Sequence, residues 1–324
     1  MNLPLLSAYP PELRPIKPPE ALGGAGGFSG SSFWKLTCAR GDFALHAWPV
    51  DGPDAARLDQ IHRWLKLCSD FPFLPIPEPT LDGRSFVSHA GRFWELTRWM
   101  PGRPSPISPL NRVHARLGFA AVARMHRRLE RLSGIGSSPG IGSRLWELDT
   151  FLARSHAEYE DSLRGQPSGL EADLAARWLA LARGQAPAVR RVLATVADRQ
   201  TPLQPCVRDL RQTHLLFEGD ELTGLIDFGA MDVDSVAGDL ARLIGDWFPD
   251  DRKARTDALQ TYESIRPLST SEHTLLTAFE QANALLIGAH WLRWGFVERR
   301  SFEQPNALAE GLRKSLERMT DVLF

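Results

Sequence analysis

The chain has 324 residues, of which 43% are hydrophobic and 24% charged, and its formal net charge is −1. This length suits about two domains with large cores, and the near-neutral charge excludes a strongly basic nucleic-acid or membrane-surface protein. Its three cysteines lie far apart, which excludes a disulfide framework and a zinc site of paired cysteines. No segment resembles a secretory signal or a membrane span, so we expect a cytoplasmic protein.

Taken in chain order, the patterns predict two lobes. Residues 1–20 are rich in proline and are expected to form an extended lead-in. Residues 21–98 contain a glycine-rich stretch, strand-like segments and one helix near 54–67, which predicts a small β-rich lobe. Prolines after Met100 mark the change to residues 99–324, where apolar side chains recur at helical spacing. The sequence therefore predicts an α+β fold.

One hairpin, expected within residues 205–229, interrupts the helical region and is flanked by acidic residues. Asp209 precedes it in the segment VRDLRQTH, and Asp227 follows it in the segment IDFG. A tight hairpin can bring these two carboxylates together with His214. Phosphoryl transfer to a hydroxyl needs such a set, because one carboxylate takes the proton of the acceptor while other ligands hold a metal that bridges the phosphates.

These segments resemble the catalytic and metal-binding loops of the aminoglycoside phosphotransferase and choline kinase family. The stretch GGFSGSSFWKL resembles the family's glycine-rich hairpin, WELTRWMPG its hinge, VARMH the helix after the hinge, and Asp239-Leu240-Ala241 its last motif. The resemblance implies a two-lobed protein-kinase-like fold, with a small β-rich N-lobe and a larger, mainly helical C-lobe. It also implies a kinase that uses ATP or GTP with Mg²⁺ or Mn²⁺ to phosphorylate a hydroxyl of a small molecule.

The resemblance also implies a role for each matching residue. Asp209 is the expected catalytic base and Arg211 is expected near the transferring phosphate, whereas Asp227 and His214 are the expected metal ligands. Asp239 is expected to tie the catalytic segment to the next helix. The residues expected to bind the nucleotide are Gly26, Gly27, Phe28, Ser29, Gly30, Ser31 and His46 around the phosphates, and the backbone of Glu95, Leu96 and Thr97 around the base.

Three positions depart from the family pattern. His214 stands where the family has a metal-binding asparagine, which either shifts the metal preference toward Mn²⁺ or Zn²⁺ or removes the second metal. The strand that contains His46 has no phosphate-anchoring lysine, although Lys35 lies on the preceding strand, and the helix near 54–67 has no glutamate to pair with one. Two hypotheses follow: an active small-molecule kinase, which we favour, and a pseudokinase-like module that binds nucleotide or ligand without turnover. The sequence indicates neither the acceptor nor the oligomeric state.

Overall fold

The computed structural model describes residues 4–23, 30–106, 109–164, 169–248, 251–300, 302 and 306–323. The chain divides into two compact units. Unit 1 comprises residues 1–106 and 213–231, and unit 2 comprises residues 107–212 and 232–324. Unit 1 contains most of the strands and unit 2 most of the helices, which confirms the α+β class. The predicted hairpin groups with unit 1 rather than with residues 99–324, and the lobe boundaries stay a prediction.

The elements are as follows. The strands are β1 (Glu20–Gly23), β2 (Ser32–Cys38), β3 (Gly41–Ala47), β4 (Val87–His89), β5 (Arg92–Arg98), β6 (Arg103–Pro104), β7 (Gly134–Gly136), β8 (Thr201–Cys206), β9 (Leu215–Glu218), β10 (Glu221–Leu225) and β11 (Asp232–Asp234). The helices are α1 (Ala55–Lys66), α2 (Arg112–Leu129), α3 (Pro139–Thr150), α4 (His156–Leu163), α5 (Leu170–Val196), α6 (Val236–Trp247), α7 (Arg252–Glu263), α8 (Thr270–Leu292) and α9 (Ala307–Leu323).

Unit 1 is built on a five-stranded antiparallel sheet in the order β1-β2-β3-β5-β4. Helix α1 begins after Asp54, whose carboxylate accepts a hydrogen bond from Arg57 N at 2.8 Å. The helix expected near 54–67 is present, and its apolar residues Leu58, Ile61 and Leu65 are buried. A second sheet, in the order β10-β9-β6, contains the predicted hairpin. Gly219 turns this hairpin with a φ of 54°, a conformation that glycine adopts without strain.

The N-terminal segment corrects one prediction. Residues Pro4–Ala8 and Pro11–Leu13 form two short 3₁₀-helices rather than an extended lead-in. Their apolar side chains, with Tyr9, are buried in one core with residues of β2 and β3. The prolines suggested an extended chain, but burial of Leu5, Leu6 and Leu13 favours a folded segment on the sheet.

Unit 2 packs helices around a small sheet in the order β11-β8-β7. Sequence reasoning missed this sheet because its strands are short and β8 contains two prolines. Helix α8 begins with a capping box, in which the side chains of Ser269 and Glu272 each accept a hydrogen bond from the other's backbone N–H. Among the described helices, none has both the length and the apolar character needed to cross a bilayer.

Candidate active site

The loop after β8 in unit 2 carries the predicted base, Asp209, and its backbone is held by one buried carboxylate. Asp239, which is 1% exposed, accepts hydrogen bonds from Val207 N at 2.7 Å and Arg208 N at 2.6 Å. Arg208 has a φ of 66°, a left-handed conformation that is costly for a residue with a side chain. The two bonds to Asp239 compensate for this strain, so the expected tie between the catalytic segment and α6 is present.

Asp239 also belongs to a buried polar cluster. His126 Nε2 lies 3.2 Å from Asp239 Oδ2, and His126 Nδ1 lies 2.9 Å from the Tyr262 hydroxyl. With Cys206, these groups bring potential metal-ligand atoms within 4.8 Å of one another. Burial raises the pKa of the Cys206 thiol well above its usual range, which disfavours the thiolate that binds metals. Because two backbone N–H groups also occupy the carboxylate, we interpret the cluster as structural.

The side chain of Asp209 is 44% exposed and is oriented by an ion pair. Arg242, on α6, places Nη2 2.6 Å from Asp209 Oδ1. One turn further along the same helix, Asp246 lies 3.4 Å from the Nε of Arg211. Helix α6 therefore anchors this loop at its backbone, at Asp209 and at Arg211. The role of Arg211 as a phosphate contact stays a prediction.

In unit 1, the predicted metal ligands lie at the two ends of the β9–β10 hairpin. His214 Nε2 is 3.5 Å from Asp227 Oδ2, and Ile226 N donates to the His214 carbonyl at 3.0 Å. Asp227 has a φ of 67° and a side chain that is 58% exposed. A neighbouring imidazole nitrogen and carboxylate oxygen are a donor set that can bind a divalent cation.

His46 lies on β3 and belongs to a hydrogen-bonded chain of buried side chains. Its Nδ1 is 3.1 Å from Glu95 Oε1 on β5, and its Nε2 is 3.1 Å from the Ser31 hydroxyl. The other oxygen of Glu95 lies 2.7 Å from His62 Nε2, on α1, and His62 Nδ1 is 2.7 Å from Ser85 Oγ. One carboxylate thus connects two histidines.

The two histidines determine the protonation state of the Glu95 carboxylate. Burial alone would raise the pKa of Glu95, but hydrogen bonds and charge from His46 and His62 outweigh it and hold the pKa well below its usual range. Glu95 is therefore ionised at neutral pH. His62 was not predicted, because the family pattern places a glutamate on this helix. A histidine on the buried face of α1 was the available signal.

The remaining predicted nucleotide residues have mixed outcomes. Gly26, Gly27, Phe28 and Ser29 lie outside the described residues. Gly30 has a φ of 71°, and its carbonyl accepts from Arg92 Nη2 at 2.8 Å. Leu96 and Thr97 lie in β5, paired with β3 on one side. On the other side, Leu96 O accepts from Glu78 N at 2.7 Å and Thr97 bridges to Pro77. These occupied backbone groups disfavour the predicted pairing with a nucleotide base.

Comparisons with known proteins agree with the motifs. The model of the phosphotransferase enzyme family, APH, matches residues 21–272. A homoserine kinase of Polaromonas naphthalenivorans is 24% identical over 296 residues, which cover 85% of this chain and 81% of the relative. An aminoglycoside phosphotransferase of Alicyclobacillus acidocaldarius superposes with a TM-score of 0.70 at 14% identity, over 100% of this chain and 94% of that chain. An amicoumacin kinase in complex with AMP-PNP and Ca²⁺ superposes with a TM-score of 0.66 at 12% identity. The match covers 96% of this chain and 91% of that chain.

Proposed function

This chain belongs to the phosphotransferase enzyme family, and within it we propose a kinase that transfers the γ-phosphoryl group of ATP or GTP to a hydroxyl of a small molecule. The hydroxyl oxygen forms a bond to the γ-phosphorus while the bond from that phosphorus to the bridging oxygen breaks. The hydroxyl proton passes to the carboxylate of Asp209, and the nucleoside diphosphate leaves. The products are a phosphate monoester and ADP or GDP.

The observation that carries this proposal is the way the Asp209 loop is held. Asp239 fixes the strained backbone before Asp209, and Arg242 fixes the carboxylate itself while leaving it 44% exposed. A catalytic base must be held in place and still be reached by the acceptor. An exposed turn aspartate would need neither the strain nor the buried support.

Asp227 and His214 are the residues that would hold the divalent cation, Mg²⁺ or Mn²⁺. A bound cation neutralises charge on the nucleotide phosphates and so favours their attack by an oxygen nucleophile. The exposed carboxylate of Asp227 and the ring nitrogen 3.5 Å away support this assignment. The imidazole predicts higher activity with Mn²⁺ than is usual for a site of oxygen ligands.

His46 takes the place of the absent lysine near the nucleotide phosphates. Glu95 orients one ring nitrogen of His46, and the other nitrogen reaches Ser31 at the end of the glycine-rich stretch. His62 keeps Glu95 in position from α1, so we propose it as a positioning residue.

A radiolabel transfer assay tests the proposed function. [γ-³²P]ATP is incubated with the protein and a panel of alcohols, beginning with L-homoserine, the acceptor of the homoserine kinase relative. We expect labelled phosphate monoester, and a loss of about 10²–10⁴ in rate for Asp209→Asn, the usual contribution of a general base. Asp198→Asn, an exposed aspartate of unit 2, is the matched control. Full activity of Asp209→Asn would rule out the mechanism, and nucleotide binding without transfer to any acceptor would favour a binding module.

A further inference from the structure

A small polar cavity lies inside unit 2, between four helices. It is lined by residues of α3, α6, α8 and α9 and has a volume of about 170 Å³. Pockets for drug-sized ligands have volumes of roughly 300–1,000 Å³. The cavity is therefore sized for a compact metabolite rather than for an aminoglycoside.

Arg318, on α9, contributes a buried cation to this cavity. It is 8% exposed and, among the residues that the structure describes, it makes no hydrogen bond or ion pair. Burial lowers the pKa of its guanidinium, and the charges of Asp246 and Glu280 offset this only in part. A Cβ on Gly245 would clash with the guanidinium, so the bare backbone of α6 makes room for it. A largely buried guanidinium that forms no ion pair loses hydration without full compensation, and an anionic ligand in the cavity would supply it.

Two further donors line the same cavity. Asn283, on α8, is 8% exposed and its Nδ2 has no hydrogen-bond partner, whereas its Oδ1 accepts from Arg144 Nε at 2.9 Å. Arg144 also donates to the Gly140 carbonyl, and it forms no ion pair with any carboxylate in the described part of the chain. Together with Arg318, these groups provide the donors that a carboxylate requires.

The cavity also has an acidic side. Glu147, on α3, has its carboxylate 3.4 Å from the Nε2 of His290. Burial acts to raise its pKa, but that hydrogen bond and the charges of Arg144 and Arg242 hold the pKa below its usual range. An ionised Glu147 can accept hydrogen bonds from an ammonium group. The cavity thus presents both signs of charge within a small volume.

The cavity adjoins the proposed catalytic base through one residue. Arg242 lines the cavity and also forms the 2.6 Å ion pair with Asp209. Asp246, which holds Arg211, lines the cavity as well. A ligand in this space therefore lies next to the residues that orient the catalytic loop.

We propose that this cavity binds the phosphate acceptor and that the acceptor is a small hydroxy amino acid. Its carboxylate binds Arg318, Asn283 and Arg144, and its ammonium group faces Glu147. Its hydroxyl points toward Asp209, which takes the proton as the oxygen bonds to the γ-phosphorus and the nucleoside diphosphate leaves. This inference rests on the proposed function for its chemistry, whereas the recognition of the amino acid is a separate binding event.

Three matched compounds test the recognition. L-Homoserine carries all three groups, 3-aminopropan-1-ol lacks the carboxylate, and 4-hydroxybutyrate lacks the ammonium. We expect kcat/KM for L-homoserine to exceed that of either analogue at least about tenfold, since each charged contact contributes that much or more. Equal use of 3-aminopropan-1-ol, or better use of an aminoglycoside, would overturn the inference while leaving the proposed function standing.

Substitutions in the cavity test whether the preference for L-homoserine arises there. Arg318→Gln is expected to raise KM for L-homoserine about tenfold or more and to leave KM for 3-aminopropan-1-ol unchanged, which removes the preference between the two. Arg313→Gln, an exposed arginine of α9 that pairs with Glu317, is the matched control. If Arg318→Gln melts at a lower temperature than wild type, the two KM values are measured for Asn283→Ala instead. An unchanged preference in the folded variant would overturn the inference.

Calorimetry separates this inference from the proposed function. L-Homoserine is titrated into the protein with and without AMP-PNP and Mg²⁺. If wild type binds L-homoserine, Arg318→Gln does not, and wild type transfers no phosphate, the cavity proposal is supported and the kinase proposal is contradicted. No binding of L-homoserine under either condition would overturn the inference whatever the transfer assay shows.

Discussion

The glutamate–histidine cluster of unit 1 and the polar cavity of unit 2 are arranged in opposite ways. In unit 1, Glu95 is shared by His46 and His62, and all four ring nitrogens of these histidines have a polar partner. In the cavity of unit 2, Arg318 and Arg144 form no ion pair with any described carboxylate, and a neighbouring amide, Asn283 Nδ2, is unpaired. The first cluster is complete by itself, whereas the second keeps hydrogen-bond donors that no described group accepts from. We infer that the first supports structure and positioning and that the second recognises a ligand.

A complete cluster should lose stability when one charge is removed. Asp239 belongs to a second complete cluster, with His126 and the loop backbone, and the largest such effect is expected there. Asp239→Asn replaces a carboxylate oxygen that accepts from the loop backbone with an amide donor. We expect the free energy of unfolding to fall by about 3 kcal/mol, since it leaves buried groups without partners. Urea denaturation measures it, with Asp198→Asn as control. A loss below 1 kcal/mol would show that the loop does not depend on this carboxylate.

The second effect is at Glu95 and depends on pH. Glu95→Gln should lower the free energy of unfolding by about 2 kcal/mol near pH 6. The pKa of Glu95 is depressed in the folded chain, so its stabilisation is present above the ordinary glutamate value of about 4.3 and is lost as pH falls toward the folded-state value. The titratable groups facing it are His46 on β3, His62 on α1 and Tyr9.

Urea denaturation of wild type and Glu95→Gln at pH 6 and pH 3.5 measures this dependence. We expect the difference in stability between the two proteins to shrink at the lower pH. Glu221→Gln, an exposed glutamate of β10, should match wild type at both. A difference that grew on acidification would mean that Glu95 is protonated in the folded chain.

A smaller effect is expected at Arg242, and it concerns rate rather than stability. Arg242→Gln releases the carboxylate of Asp209 and should lower kcat about tenfold or more, because a misplaced base loses proton-transfer efficiency. Nucleotide affinity should not change. Steady-state kinetics and calorimetry with AMP-PNP distinguish the two, and the exposed Arg177→Gln serves as control. Wild-type kcat in Arg242→Gln would remove this ion pair from the mechanism.

The smallest effect is expected at the start of α1. Asp54→Ala removes the N-cap of the helix that carries His62 and should lower the free energy of unfolding by about 1 kcal/mol. Asp59→Ala, at an exposed position of the same helix, should have little effect. Equal losses in the two variants, compared by thermal unfolding, would mean that the cap is not what stabilises this helix.

Local features were predictable from the sequence. The β2–β3 and β9–β10 hairpins, α1 and the capping box at Ser269 each depend on residues close together in the chain. The motifs around Asp209 and Asp227 are equally local, which is why a family resemblance was visible. Hydrophobic periodicity and turn residues carry this information directly.

The pairings between distant residues were not predictable. His62 meets Glu95 over 33 residues, and His46 meets it over 49. Arg318 reaches its cavity only because Gly245, on another helix, has no side chain in the way. Such contacts depend on how helices and strands pack, which periodicity within one segment does not specify.

The central claim is that Asp227 and His214 hold the cation of a bound nucleotide, and calorimetric titration of ATP with Mg²⁺ or Mn²⁺ tests it most directly. Wild type should bind ATP only with a divalent metal, and Asp227→Asn should weaken binding about tenfold or more, as expected when a charged ligand is lost. Equal, metal-independent affinity in wild type and Asp227→Asn would contradict the account.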